Sequence, residues 1–203
     1  MGNGRLTASD LTPERLQAAC RRLGYAFFER GAYNLNLIAV RSSTRVANRF
    51  DDWITHTYRE SEQGPLQTDV FSGTTDPGLY WLQHPGRAEG TAILAAQQVR
   101  GSHRIGLHKG YPALVQCQPM LYYRDNNRDG TLDLAGKLYR GIIGANIHRA
   151  NKDKESPLVE KWSAACVVFS NPTAYAKHWD LVQKSRVLHG ECFTLTILDE
   201  SQL

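Results

Sequence analysis

The stretch Gly144-Ala145-Asn146-Ile147-His148-Arg149, followed after a polar interval by Ser163-Ala164-Ala165-Cys166, decides how this chain reads. From Gly141 to Arg149 the residues are largely apolar and β-branched, which predicts a central strand with His148 near its end. A side chain at such a position can emerge at a sheet edge into a cleft. The small residues before Cys166 let backbone amides come close to a bound carbonyl. A thiol becomes an acyl-transfer nucleophile when a base takes its proton and backbone N–H groups hold the oxyanion. Cys166 and His148 are therefore the candidate nucleophile and base.

Outward from that core, the pattern is helix, strands, helix, strand. Thr7 to Arg30 reads as a helix: Ser9 or Asp10 caps it, Pro13 suits a first turn, Leu16, Ala19, Cys20 and Leu23 recur at helical spacing, and Gly24 closes it. Alternation predicts strands over 34–41, 53–59 and 67–72, a meander that the helix enters directly. A middle rich in Gly and Pro carries short strands at 91–94, 106–108 and 113–124. Asn171-Pro172 opens a last helix to about Val187, with Tyr175, Trp179 and Val182 inward, and 192–198 is the last strand. The predicted class is α+β with a mixed β-sheet core. Residues 1–72 form an N-terminal helix and meander packed on that core, and residues 73–203 form the core itself with a C-terminal helix.

Composition excludes several functions. With 203 residues, 41% hydrophobic and 22% charged, the chain buries a real core as one domain or as one domain with a small appendage. The net charge of +4 is spread along the chain without a basic helix, aromatic-basic interleaving or zinc-finger spacing, so no nucleic-acid partner is expected. No apolar run of about 18 residues exists, so no membrane segment is expected. The N-terminal residues lack a charged segment followed by an apolar run, which predicts a protein made in the cytoplasm without a secretory signal. Cys20, Cys117, Cys166 and Cys192 are far apart and form no C-x-x-C pair, which argues against a zinc site or a disulfide framework.

The Ile147-His148 pair, fourteen residues, and then Ser163-Ala164-Ala165-Cys166 resemble the catalytic signature of the L,D-transpeptidase (YkuD) family in order and spacing. In that family an Ile-His-Gly segment precedes a Ser/Thr-x-Gly-Cys segment. The resemblance covers about Thr74 to Phe169, with Gly90-Thr91-Ala92-Ile93 standing where the family has a Gly-Thr segment. It implies a YkuD-like core in which Cys166 attacks a stem-peptide carbonyl of peptidoglycan at an L,D linkage and His148 is the base. It further implies that Ser163 orients the site and that the amides of Ala165 and Cys166 form the oxyanion hole. His108 and Arg149 are placed beside this cleft as substrate contacts. The chain departs from the family pattern at Ala165, where the family has Gly, at Arg149, where it has Gly, and at Val167 and Val168, where an apolar residue and then Arg or Asn are usual. The absence of an export signal and segments such as Thr74-Thr75-Asp76-Pro77-Gly78 also look like phage-type proteins that act at the cell wall or within a phage-like or contractile injection particle. The competing expectation is a non-enzymatic component of such a particle that binds peptidoglycan with a degenerate site.

No cofactor is required by this chemistry. The segment Asp125-x-Asn127-x-Asp129-Gly130-Thr131-x-Asp133 reads as an Asx-rich hairpin turn, with a calcium ion held by Asp125, Asn127, Asp129 and Asp133 as its alternative; Gly136 stands where a calcium loop has its bidentate Glu. His103, His108 and His148 are a candidate metal set that strand alternation argues against, because His103 and His108 are five residues apart. His56, His84, His178 and His189 are expected on the surface or in loops.

Overall fold

In the computed structural model, which describes residues 5–203, the chain is mixed α and β and mostly sheet. Thr12 accepts from the Arg15 amide and Pro13 takes the first helical position, so α1 runs over Pro13–Arg22. The expected helix is thus shorter at both ends. Its capping residue is Thr12 rather than Ser9 or Asp10, which belong to a separate 3-10 turn, and Gly24 at φ +71° leaves the helical region.

The meander follows as β1 (Asn36–Arg41), β2 (Asp52–Tyr58) and β3 (Gln67–Thr74). A short helix, α2 (Leu79–Gln83), leads to β4 (Thr91–Leu94), and then to β5 (Gln97–His108) and β6 (Tyr111–Gln116). The strand expected over 113–124 is two strands: the chain leaves β6 after Gln116 and passes Pro119 before β7 (Met120–Asp125). Likewise the strand expected over Gly141–Arg149 is β8 (Tyr139–Gly141), a loop through Gly144 at φ +76°, and β9 (Ile147–Arg149). The rest is β10 (Val167–Phe169), α3 (Pro172–His189) and β11 (Cys192–Asp199).

Eight strands close a barrel in the order β1-β11-β5-β6-β9-β10-β3-β2, and β4-β7-β8 form a separate three-stranded sheet. β1 pairs in parallel with β11 and antiparallel with β2, while β10 joins β3 antiparallel and β9 in parallel. The boundary expected after Ser72 therefore falls inside β3. The meander is not an appendage but three staves of the same barrel, because β1 and β3 each hydrogen-bond to a strand from the C-terminal part.

Alternation assigns the two faces. Leu37, Ala39, Leu195, Ile197, Val167 and Phe169 point into the main core, whereas Ile38, Val40 and Leu198 point out and are covered by Leu16, Ala19 and Cys20 of α1. α3 lays Tyr175, Leu181 and Val182 on the main core, and the small sheet adds Leu94, Met120 and Tyr122.

A buried polar knot ties the strand ends to the segment Thr74-Thr75-Asp76. The guanidinium of Arg41 donates from Nε to Asp76 Oδ1 at 2.9 Å and to Thr75 Oγ1, and from Nη2 to the Leu94 carbonyl at 2.6 Å. Asp52 accepts from the amides of Ser42 and Thr75 and from the Thr75 hydroxyl. Burial, and then the neighbouring Asp76, push the Asp52 carboxyl up to about 7. For Arg41 burial acts downward, but Asp76, Asp52 and Asp199 outweigh it and hold the guanidinium above its ordinary value.

Candidate active site

β9 and β10 run side by side with His148 opposite Val168. Ile147, Ala165, Val167 and Phe169 face the barrel core. His148, Ala150, Cys166 and Val168 consequently face outward, and Cys166 packs with Ala150 and Val168 under Phe50. Cys166 precedes Val168 by two residues, so parallel pairing sets the Cα atoms of Cys166 and His148 roughly 8 Å apart on one face, from strand spacing and rise. The sequence-predicted nucleophile and base are thus brought to the same side of adjacent strands.

The base is buried, at 1% exposure, and its tautomer follows from its partners. Nδ1 lies 2.8 Å from the Arg149 carbonyl, which only accepts, so Nδ1 carries the proton. The Tyr111 hydroxyl donates to the same carbonyl at 3.1 Å and lies 3.2 Å from Nδ1. Nε2 is left with a free lone pair and no partner among the described residues. Burial, followed by the nearby His108, lowers the His148 pKa to about 3, so the imidazole is neutral at physiological pH. His108 stacks on it with ring centroids 3.9 Å apart, and accepts at Nδ1 from the Asn146 amide group at 3.1 Å.

The thiol of Cys166 donates to the Gly144 carbonyl at 3.4 Å rather than to His148. Burial pushes its pKa up to about 11, outweighing the downward pull of the Asn146 amide. Ser163 is buried; its hydroxyl donates to the Cys166 carbonyl at 2.9 Å and its own carbonyl accepts from the Gly78 amide, so it braces the cysteine loop without touching sulfur. Gly78 is required there, because a β-carbon would stand 1.9 Å from the Glu160 carbonyl oxygen. The methyl of Ala165 brings no backbone strain, since its φ is not positive. Among the described residues, neither the Ala165 nor the Cys166 amide donates to a protein acceptor, which leaves both N–H groups open to a ligand oxygen.

Two clefts meet this face. One, of about 250 Å³, is lined by Gly144, Ala164, Ala165 and Cys166 together with Trp81, Thr91 and Arg124. The second, of about 450 Å³, is lined by His108, Tyr111, His148, Arg149 and Trp162. The Arg149 guanidinium covers the Tyr111 ring at 4.2 Å, so Arg149 and His108 border the histidine cleft rather than the thiol cleft.

The acidic turn is braced by its own hydrogen bonds. Asp125, Asn127 and Asp129 accept from the amides of Asp133, Asp129 and Thr131, and Asn127 donates to Asp133 at 3.0 Å. One side-chain oxygen each of Asp125, Asn127, Asp129 and Asp133 is engaged within the turn, while Asp125 Oδ1 is buried without a partner among the described residues. Among the described residues no group of three or more His, Cys, Asp or Glu side chains is placed to hold a metal. His103 is likewise engaged, with Ser102 at Nδ1 and the Ala145 carbonyl at Nε2, both at 2.8 Å.

Sequence reading missed Tyr111, Asn146 and Gln116. Gln116 Oε1 accepts from the amides of Ile143 and Ala145, and its Nε2 donates to Gly141, which fixes the loop whose Gly144 carbonyl holds the thiol. Its only signal was a polar residue in an apolar strand. Gln116→Leu leaves the buried Ala145 amide and the part-buried Ile143 amide without an acceptor, so a stability loss of about 2 kcal/mol is expected in urea denaturation. A loss under about 0.5 kcal/mol would show that the loop does not depend on Gln116.

Searched against protein-family models, curated proteins and solved structures, the chain matches none.

Proposed function

We propose that this chain is a peptidoglycan-acting cysteine enzyme of the L,D-transpeptidase type, with a YkuD-like core, that cleaves or transfers stem peptides at an L,D linkage. The observation that carries the reading is the bare, buried Nε2 of His148 on the same outward face as the Cys166 thiol. Nδ1 is committed to the Arg149 carbonyl, so Nε2 is available as the base. When the thiol leaves the Gly144 carbonyl, its proton passes to Nε2 and sulfur bonds to the substrate carbonyl carbon. The amides of Ala165 and Cys166 receive the oxyanion. The amide C–N bond then breaks, the imidazolium protonates the departing amine, and water or a second stem's amine resolves the thioester. Delivery by a phage or phage-like particle, with peptidoglycan stems as the partner, belongs to the same reading.

The test is mass spectrometry of muropeptides after incubation of purified sacculi with the protein. The parent chain is expected to trim or exchange stem peptides, and both Cys166→Ala and His148→Gln to lower the rate at least a hundredfold with nearly unchanged melting temperature. Activity of Cys166→Ala equal to the parent would remove the mechanism.

A non-enzymatic, peptidoglycan-binding reading is favoured by one feature, the thiol bonded to Gly144 with its pKa pushed up to about 11. Iodoacetamide separates the two. A catalytic Cys166 labels faster in the presence of stem peptide than without it, and an inert one labels slowly in both conditions.

A further inference from the structure

The turn between β7 and β8 carries oxygen donors that the thiol chemistry does not use. Asp125, Asn127, Asp129, Thr131 and Asp133 stand at alternate positions, the spacing at which a calcium loop supplies side-chain oxygens and, at its seventh residue, a backbone carbonyl. Asp125 is wholly buried at the end of β7, and its Oδ2 accepts from the Asp133 amide at 3.1 Å, which turns the carboxyl across the loop. Oδ1 is then a buried carboxylate oxygen with no partner among the described residues, an arrangement that costs folding free energy unless a positive group meets it. Burial raises this carboxyl above its ordinary value; the Asp133 amide lowers it, and the charges of Asp133 and Asp129 raise it again. Asn127 and Asp129 each use Oδ1 for one amide of the turn, and Asp133 uses Oδ2 for the Asn127 side chain, so the second carboxylate oxygens of Asp129 and Asp133 are not used within it. The Thr131 carbonyl accepts no backbone hydrogen bond among the described residues. Three carboxylates alone do not enclose an ion. The amide oxygen of Asn127, which keeps a second lone pair, and the Thr131 carbonyl bring the donors to five, and water fills the rest of the roughly 6–8 oxygens that calcium takes. The loop is also fixed in place: Leu132 is buried with Ala47, Leu82 and Ile93, and the Gly130 carbonyl and Leu132 amide bond to Ala47 and Arg45.

We infer that this turn is a calcium site, in which Asp125 Oδ1, the Asn127 amide oxygen, one free carboxylate oxygen each of Asp129 and Asp133, and the Thr131 carbonyl hold a single ion. The ion supplies the positive charge that the buried Asp125 oxygen lacks. Calcium suits a donor set that mixes carboxylate, amide and carbonyl oxygens on an irregular loop, whereas magnesium demands a near-ideal octahedron and gives up its waters reluctantly. Gly136 stands where the strongest loops have a bidentate Glu, which places the affinity at the weak end, with a Kd of about 10⁻⁴–10⁻³ M. The site is independent of the cysteine mechanism but touches the same cleft. Asn126 donates to the Ala88 carbonyl at 3.1 Å, and Gly90, which lines the thiol cleft, packs so closely that a β-carbon there would stand 2.1 Å from the Asp125 carbonyl oxygen. An ion in the turn therefore braces the segment Ala88–Gly90.

The test titrates calcium chloride, and separately magnesium chloride, into the full chain after removal of divalent ions with a chelator. Calorimetry is expected to show one calcium per chain, bound at least tenfold more tightly than magnesium, and about 10 mM calcium is expected to raise the melting temperature. Asp129→Asn keeps the Oδ1 acceptor for the Thr131 amide while removing a ligand charge. It is expected to weaken calcium at least tenfold and to leave the melting temperature of the calcium-free chain nearly unchanged. Asp125→Asn is expected to weaken calcium at least as much; if that variant does not fold, Asp129→Asn decides. Asp153→Asn, which alters an exposed acid outside the turn, is expected to bind calcium like the parent. No heat and no melting shift at about 10 mM calcium, equal affinity for the two ions, or undiminished binding in Asp129→Asn would overturn the site.

Discussion

Replacing Arg41 by Met is expected to lower stability by about 4 kcal/mol at pH 7, measured by chemical denaturation, because removing one member of a buried ion pair strands its partner charge. Arg41 is 1% exposed and is the only guanidinium hydrogen-bonded to Asp76 among the described residues, with Asp199 a further 3.6 Å contact. Without it the buried carboxyl groups of Asp76 and Asp52 face each other with no cation in the knot. Burial and Asp76 already push the Asp52 carboxyl up to about 7 against the pull of Arg41, and without that guanidinium its folded pKa rises further. The sign follows: a raised carboxyl contributes stability below its unfolded pKa and loses it as pH rises through the folded value. The gap between Arg41→Met and the parent is therefore expected to be full near pH 8 and to shrink by more than half toward pH 5. A gap that is constant with pH, or smaller than about 1 kcal/mol, would mean that the knot is not electrostatic.

The second large effect comes from histidines that were expected on the surface. His56 and His178 are wholly buried, and His56 Nε2 meets His178 Nδ1 at 2.8 Å. The rings pack among Phe71, Phe169 and Tyr175, and the remaining buried nitrogens, His56 Nδ1 and His178 Nε2, have no partner among the described residues. Burial lowers the His56 pKa to about 3, with Asp69 pulling upward and Lys177 downward, and places His178 well below its ordinary value. His103 falls to about 4 and His148 to about 3 for the same leading reason. A histidine with a depressed folded pKa contributes stability that is complete above its unfolded pKa near 6.5 and is lost as pH falls toward the folded value.

Each such group adds up to about 1.4 kcal/mol of loss per pH unit below 6.5. Asp52 acts in the opposite sense, since its carboxyl is pushed up to about 7, and its contribution is lost as pH rises from about 4 to 7. With Asp51 and Asp125 also raised and His108 also lowered by burial, three carboxyls against five histidines leave a net loss of stability between about pH 6.5 and 4.5, with net uptake of protons on unfolding. His56→Leu with His178→Leu is expected to flatten that slope, because an apolar pair has nothing to protonate. Stability that stays level between pH 6.5 and 4.5 in the parent chain would sink this account.

How much of the molecule was legible beforehand depended on how local its cause was. β1, β2, β3, β4, β11 and α3 follow from alternation, helical spacing and the Asn171-Pro172 start, and each lies close to where those patterns put it. The order of His148 and Cys166 along the chain and their place beside strands were equally legible. Helix ends were less so, because Thr12 and Ser9 are both acceptable caps and only the packing of Leu16 and Cys20 on Ile38 and Val40 selects one register. The breaks after Gln116 and after Gly141 were hidden by apolar composition on both sides.

What the sequence by itself determined is the class, α+β with a mixed β-sheet, and the presence of a His and a Cys flanked by strand-forming and small residues. The tertiary structure decided that the meander closes a barrel with the C-terminal strand, that His148 keeps Nε2 free, that Ser163 braces a loop, and that His56 and His178 meet inside. The physical reason is that alternation marks two faces of a strand without saying which is inside. In β1 every residue is buried, so even that distinction disappears from the pattern. Tautomers, thiol partners and charge balance in a cleft are set by contacts between residues tens of positions apart, such as Tyr111 with Arg149 and Arg41 with Asp76, and those contacts exist only once the barrel has closed.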